Sequence, residues 1–145
     1  MRGFRMNARL SRLFATQIDT LADRGTLQFE AGQVWEIDEG EFSGVQLLVV
    51  KTEMDEDLGQ IVHVTVRGPL QTLGGSELDG IPHLPFLHSA LDQSDLTLAG
   101  HVERVPGDWR PMYDDWVQDA EEDEAGVFSL SAGRVLGDIM ARLPI

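Results

Sequence analysis

Residues 45–66 read VQLLVVKTEMDEDLGQIVHVTV, and this segment sets the class of fold. Its two ends, residues 45–51 and 60–66, are rich in the β-branched and large apolar residues that favour strands. The acidic segment between them, residues 53–59, ends in glycine and has the composition of an exposed turn. The sequence therefore predicts two antiparallel strands joined by an acidic hairpin loop.

Alternation within residues 60–66 assigns side chains to two faces of a sheet, because successive side chains of a strand point in opposite directions. One face carries Val62, Val64 and Val66, and the other carries Ile61, His63 and Thr65. Residues 45–51 are apolar on both faces, which is typical of a central strand. Two further strands, residues 26–29 and 33–37, flank a turn at Ala31 and Gly32. We predict a curved antiparallel sheet or a small barrel of about four to five strands.

The second half of the chain predicts helices that pack on this sheet. The expected elements are a short helix from Pro85, a short strand at residues 101–105, a helix at residues 109–119, a strand at residues 126–130 and a closing helix. Ser131 is a favoured N-cap residue for the closing helix, which carries an apolar stripe of Val135, Leu136, Ile139, Met140 and Leu143. This order of elements fits the α+β class better than a doubly wound sheet.

The first 24 residues differ from the rest of the chain. Leu10, Leu13, Phe14, Ile18 and Leu21 follow helical spacing, while Arg5, Arg9 and Arg12 fall on the opposite face. We predict a basic amphipathic helix here rather than a transit peptide, because the apolar face continues unbroken to Leu21. Residues 1–145 then form one α+β domain, with a basic helix at 1–24, a strand-rich part at 25–70 and a mixed helical part with one late strand at 71–145.

Composition excludes several kinds of site. The chain of 145 residues has no cysteine, which removes disulfides, thiolate nucleophiles and cysteine-based zinc sites. It has no run of about 18 apolar residues, so the sequence predicts no membrane-spanning helix. The N-terminus lacks the apolar stretch and cleavage site of a secretory signal, and we expect a cytoplasmic protein.

Charge is the most unusual property of the chain, which has a formal net charge of −14. Residues 1–24 hold five of the 11 basic side chains and two acids, whereas residues 25–145 hold 6 basic and 23 acidic side chains. Because residues 25–145 carry this excess of negative charge, they are repelled by nucleic-acid phosphates and anionic lipid and attracted to basic proteins. We predict a basic protein partner and no binding of nucleic acid or membrane. Solubility alone is the alternative explanation of the charge.

A candidate binding surface lies in the helix predicted at residues 109–119 and in the acids that follow it. Its residues are Tyr113, Asp114, Asp115, Trp116, Asp119, Glu121, Glu122, Asp123 and Glu124. The two aromatic residues share one helical face and suit either core packing or the binding of an arginine-rich partner. The leading prediction is a non-enzymatic acidic protein-binding domain, in the manner of an immunity protein or inhibitor that neutralises a basic toxin or nuclease.

Histidines provide the other candidate site, and His63, His83 and His88 are the candidate metal ligands. Three imidazoles with a carboxylate can hold zinc or iron, but the spacing here matches no standard metal motif. We favour structural roles for two of these histidines: His63 packs in a valine-rich strand, and His83 fixes a loop. We predict no cofactor. A small metal-dependent hydrolase using His63 and His83 and a small-ligand-binding domain are the alternative functions.

Five short motifs go beyond composition. They are GQVW at residues 32–35, IVHV at 61–64, IPHLPF at 81–86, YDDW at 113–116 and AGVF at 125–128. In these motifs the chain resembles a family of small bacterial proteins without an established activity. The resemblance covers residues 32–130 and implies a shared fold. If these motifs belong to a functional site, the residues that we expect to form it are His63, His83, Phe86 and Trp116.

Overall fold

The computed structural model describes residues 27–145, so the helix predicted at residues 1–24 lies outside the described residues. In this part of the chain the strands are β1 (Gln33–Ile37), β2 (Gln46–Asp55), β3 (Gly59–Gln71), β4 (Glu77–Leu87) and β5 (Leu96–His101). The helices are α1 (His88–Asp92), α2 (Arg110–Glu121) and α3 (Ala132–Arg142), with a single 3-10 turn at Gly40–Phe42. The predicted α+β class is confirmed. None of the helices in residues 27–145 is long and apolar enough to cross a membrane.

The strands form one open antiparallel sheet in the order β4-β3-β2-β1-β5. β2 lies in the middle of the sheet, as the apolar residues on both of its faces predict. β4 and β5 are the two edges and do not pair with each other, so the antiparallel sheet is correct and the alternative of a closed barrel is wrong.

One face of the sheet forms the main hydrophobic core with α1 and α3. Val62, Val64 and Val66 are buried there, together with Leu136 and Met140 from the predicted apolar stripe of α3. α3 begins after Ser131, whose hydroxyl accepts a hydrogen bond from the Arg134 N–H at 3.4 Å, as its capping preference predicts. The closing helix is therefore confirmed, and it covers only this face.

The opposite face of the sheet is covered by α2. Leu48 and Val50 pack around Trp109 at the start of this helix, and Ile61 packs against Trp116 further along it. No residue of α2 is itself fully buried, because the helix rests on the sheet by one side only. The alternation predicted for β3 is confirmed, since Ile61 and His63 face α2 while the valines face α3.

The hairpin between β2 and β3 is longer than predicted. β2 continues to Asp55, whose carboxylate accepts hydrogen bonds from the N–H groups of Asp57 at 2.8 Å and Leu58 at 3.1 Å. Gly59 completes the tight turn at a φ of 80°, a conformation that favours glycine. Glu53, predicted in the loop, therefore lies within a paired strand, opposite Ile61.

Other predicted elements in the described residues are also wrong. The predicted helix from Pro85 is the end of β4, and α1 starts only at His88, because an edge strand tolerates proline. The short strand lies at Leu96–His101 instead of residues 101–105, and residues 27–29 belong to no strand. The late strand at 126–130 is reduced to one bridge between Phe128 and Phe86.

Candidate functional site

A chain of hydrogen bonds joins three side chains beneath α2. His63 Nε2 lies 2.7 Å from Glu53 Oε2, and His63 Nδ1 lies 2.8 Å from His83 Nε2. The two histidines are only 0% and 3% exposed, whereas the Glu53 side chain is 33% exposed. Buried polar groups are costly unless they are hydrogen-bonded, and these two bonds satisfy both ring nitrogens of His63 and the Nε2 atom of His83. We refer to Glu53, His63 and His83 as the Glu–His–His chain.

Strand register brings the Glu–His–His chain together. His63 of β3 pairs with Lys51 of β2 on one side and with Pro85 of β4 on the other. Glu53 is two residues beyond Lys51, and His83 is two residues before Pro85. Residues two apart in a strand share a face, so the side chains of Glu53, His63 and His83 all point towards α2.

Tyr113 and Trp116 of α2 close over the histidines. The Tyr113 hydroxyl donates a hydrogen bond to Glu53 Oε2 at 2.9 Å. The centroids of the Tyr113 and Trp116 rings lie 4.9 Å and 4.8 Å from that of His63, and both rings are nearly perpendicular to it. Trp116 also donates its indole N–H to the Gly126 carbonyl at 2.9 Å. The predicted aromatic pair therefore faces the sheet and fastens α2 to it.

The surroundings decide the charges of this site at neutral pH. Burial alone raises the pKa of Glu53, but hydrogen bonds from His63 and Tyr113 outweigh it, so the pKa is lowered and Glu53 is ionised. Burial, reinforced by repulsion from His63, lowers the pKa of His83 to about 4 and keeps its imidazole neutral. Burial and the bond to Glu53 raise the pKa of Tyr113, whose hydroxyl remains a donor.

The histidines are arranged as hydrogen-bonding partners. The Nδ1 atom of His63 and the Nε2 atom of His83 face each other, so neither is directed at a shared metal position. His88 lies elsewhere, with Nε2 at 2.8 Å from the Leu27 carbonyl oxygen and its ring against Phe29. Within residues 27–145 no group of three His, Asp or Glu side chains is placed to hold a metal ion.

The predicted acidic residues lie on the solvent side of α2 and in the turn after it. All seven carboxylate residues are exposed, namely Asp114, Asp115, Asp119, Glu121, Glu122, Asp123 and Glu124. We call these seven residues the acidic surface. No Lys or Arg of residues 27–145 forms a salt bridge with Asp114, Asp115 or Asp119. The carboxylates of these three residues are therefore exposed and form no ion pair with a cation of this part of the chain.

The charge order along α2 opposes the helix dipole. Arg110 is the first residue of α2, the last turn holds no basic residue, and the acids are concentrated towards the C-terminal end. Negative charge is unfavourable at that end, where unsatisfied carbonyl groups carry partial negative charge. Asp115 and Asp119 are also four residues apart, a spacing at which like charges repel. Asp119 and Glu121, which lie in the last turn, therefore lower the stability of α2.

A cavity of about 380 Å³ lies between α2 and the end of the β2–β3 hairpin. Its lining residues include three acids, Glu53, Asp55 and Glu121, and the apolar or aromatic residues Ile61, Tyr113 and Trp116. No Lys or Arg from residues 27–145 lines it. We call it the helix cavity. It joins the buried Glu–His–His chain to the acidic surface, since Glu53 belongs to the first and Glu121 to the second.

Sequence reasoning missed Glu53 and misplaced Phe86. The acidic composition of residues 53–59 predicts an exposed loop, but Glu53 lies two residues from Lys51 and continues the period of β2. Phe86 is fully buried on the α3 face against Phe128, away from His63 and His83. Of the four residues implicated by the motifs, His63, His83 and Trp116 meet at one site and Phe86 does not.

Comparison with known proteins assigns neither a family nor a function to the chain. No family model, no curated protein and no solved structure matches the chain.

Proposed function

We propose that this protein binds a basic protein partner through the acidic surface of α2. The observation that carries the proposal is the exposure of seven carboxylates within residues 114–124, on α2 and in the turn after it, while the other side of α2 is fastened to the sheet. A dense negative surface attracts a cationic partner over a distance and speeds its association. Neutralisation of a basic toxin or nuclease is the biological role that this chemistry suits best.

The unfavourable position of the acids supports a role in binding. Acids at the C-terminal end of a helix cost about 0.3–1 kcal/mol each, and neutral residues there would make the helix more stable. A surface that only improves solubility could carry the same charges at positions without this cost. Residues that lower stability are found where function requires them.

Rigid placement of α2 supports the same proposal. The bond from Tyr113 to Glu53 and the packing of Trp116 on His63 fix the rotation of the helix about its axis. This rotation keeps Asp114, Asp115 and Asp119 directed at solvent. A preformed surface loses less entropy when a partner binds than a surface that must first become ordered.

Capture from a lysate of the source organism, with matched variants, tests the proposal. The test variant combines Asp114→Asn, Asp115→Asn and Asp119→Asn. The control combines Glu30→Gln, Glu77→Gln and Glu103→Gln, which removes the same charge from exposed sites outside α2. We expect wild type and control to retain one basic protein that the test variant loses. With that protein purified, the test variant should bind about tenfold more weakly at low salt.

Two results would count against the proposal. One is equal recovery of the partner by the test variant and the control, which would place the interface elsewhere. The other is an affinity that does not fall as salt rises, because screening weakens every contact between exposed charges.

A hydrolase built on the histidines is a second candidate, because His63 Nδ1 and His83 Nε2 lie within 2.8 Å and Glu53 binds the other side of His63. A carboxylate that orients an imidazole is a common device for general-base catalysis. His83 also lines a second cavity of about 410 Å³ with Trp116 and Asp115. Metal quantification and turnover of ester and phosphoester substrates test this candidate. His83→Asn should abolish any turnover that is found, and turnover that survives the substitution would exclude this role.

A further inference from the structure

The helix cavity combines an apolar wall with negative charge. Ile61, Tyr113 and Trp116 form part of the wall, and Glu53 and Glu121 are acidic residues of the lining. Its volume of about 380 Å³ is within the range of ligand-binding pockets, which starts at about 300 Å³. A ligand that suits these walls has an apolar or planar body and a positive charge.

Glu53 provides a fixed acceptor at this cavity. Its Oε2 atom receives hydrogen bonds from both His63 and Tyr113, and these bonds hold the carboxylate in one orientation. No hydrogen bond within residues 27–145 uses the other oxygen, Oε1, and the side chain is partly exposed. Asp55 differs, because its carboxylate is occupied by the N–H groups of the hairpin turn. A cation in the cavity would therefore bind Glu53.

A guanidinium group fits this arrangement better than an ammonium group. The Tyr113 and Trp116 rings are stacked at an interplanar angle of 25°, with centroids 5.9 Å apart. A planar guanidinium can stack on aromatic rings while it donates hydrogen bonds to a carboxylate, and it is more weakly hydrated than the ammonium of lysine. Lys51, whose Nζ lies 5.7 Å from the Tyr113 ring centroid, is a neighbour that does not line the cavity.

From these observations we infer that the helix cavity receives an arginine side chain of the basic partner. The inference rests on the proposed function, because Glu121 belongs both to the cavity and to the acidic surface. A partner that covers the acidic surface therefore has its own basic side chains next to the cavity. The acidic surface supplies attraction for any cation, and the cavity supplies preference for arginine.

Titration calorimetry with two peptides, hexa-arginine and hexa-lysine, separates these contributions. The peptides carry equal charge, so attraction to the acidic surface treats them alike. The expected preference of the wild-type protein for hexa-arginine is about tenfold, in line with a stacked cation that is partly removed from water.

Two variants remove the cavity contribution in different ways. Ala120→Leu fills the cavity, since Ala120 lines it, and Gln118→Leu adds the same side chain to an exposed position of α2. Glu53→Gln removes the acceptor charge, and Glu56→Gln removes one charge from the exposed hairpin turn nearby. Ala120→Leu and Glu53→Gln should abolish the preference for arginine while both controls keep it. Agreement between the two variants protects the test against misfolding of either one.

The outcomes distinguish the inference from the proposed function. Loss of preference in the two cavity variants, with hexa-lysine binding retained, supports the inference. Equal binding of both peptides by wild type, or a preference that Ala120→Leu and Glu53→Gln leave unchanged, would overturn the inference and leave the acidic surface as the interface. Failure of both peptides to bind at low salt would overturn both proposals.

Discussion

His83 should make the stability of this protein fall steeply as pH is lowered. In the folded state its pKa is about 4, against an ordinary value of 6.5 in the unfolded chain. Between these two values the unfolded chain binds a proton that the folded protein does not, so acidification favours unfolding. The contribution of His83 is complete above pH 6.5 and is lost as pH falls towards 4. Glu53, with its lowered pKa, adds a loss of the same sign as pH falls below 4.5.

The size of this effect follows from the difference between the pKa of His83 in the folded protein, about 4, and its ordinary value of 6.5. A difference of one in pKa corresponds to about 1.4 kcal/mol, so His83 should remove about 2–3 kcal/mol from the free energy of unfolding between pH 7.5 and pH 4.5. This is a large part of the stability of a small domain, which is about 5–15 kcal/mol.

Urea denaturation followed by tryptophan fluorescence at each pH measures the effect. His83→Asn should be destabilised at pH 7.5 by about 1–3 kcal/mol, because His63 loses a partner in a buried site. At pH 4.5 the difference between wild type and variant should disappear or change sign, since the variant has no imidazole to protonate. His101→Asn, made at an exposed histidine, is the matched control. If wild type and His83→Asn lose stability in parallel over this range, burial of a neutral His83 is refuted.

Three further predictions concern stability and use the same urea denaturation. Tyr113→Phe should cost about 1–2 kcal/mol, because it removes a hydrogen bond to the ionised Glu53; an unchanged midpoint would show that this bond does not fasten α2. Asp119→Asn combined with Glu121→Gln should stabilise the protein by about 0.5–1.5 kcal/mol, because it removes unfavourable negative charge from the C-terminal end of α2. Destabilisation would contradict our account of the acidic surface. Leu136→Ala, at 0% exposure in the core beneath α3, should cost about 2–5 kcal/mol. The control Leu98→Ala, at 53% exposure, should stay within about 0.5 kcal/mol, and equal effects would place the core elsewhere.

Local pattern was sufficient for the central part of the fold. The valines of β3 and the apolar residues of β2 have a two-residue period and high strand propensity, so the faces of these strands could be read directly. In α3, the apolar stripe and the capping Ser131 are likewise found where their sequence pattern predicts them. At these positions, sequence preference and tertiary packing favour the same structure.

The candidate site lies where sequence preference and tertiary packing favour different structures. Glu53 and Asp55 belong to residue types that are depleted in strands, yet pairing with β3 extends β2 through both of them. Pro82 and Pro85 suggest a loop or a helix start, but β4 is an edge strand, and there the missing N–H of proline leaves no pairing unsatisfied. Because neither extension was predicted, the meeting of Glu53 with the two histidines could not be derived from spacing alone.

Mapping of a bound polycation by NMR tests the central claim most directly. Isotope-labelled protein would be titrated with hexa-lysine at about 0.05 M salt, where charge interactions are only partly screened. Our account predicts that the largest amide shifts fall within residues 114–124, with smaller shifts at the other acidic segments, residues 38–41 and 53–57. Shifts of equal size at all three segments, or largest shifts outside α2 and the turn after it, would contradict the claim that the acidic surface is the binding site.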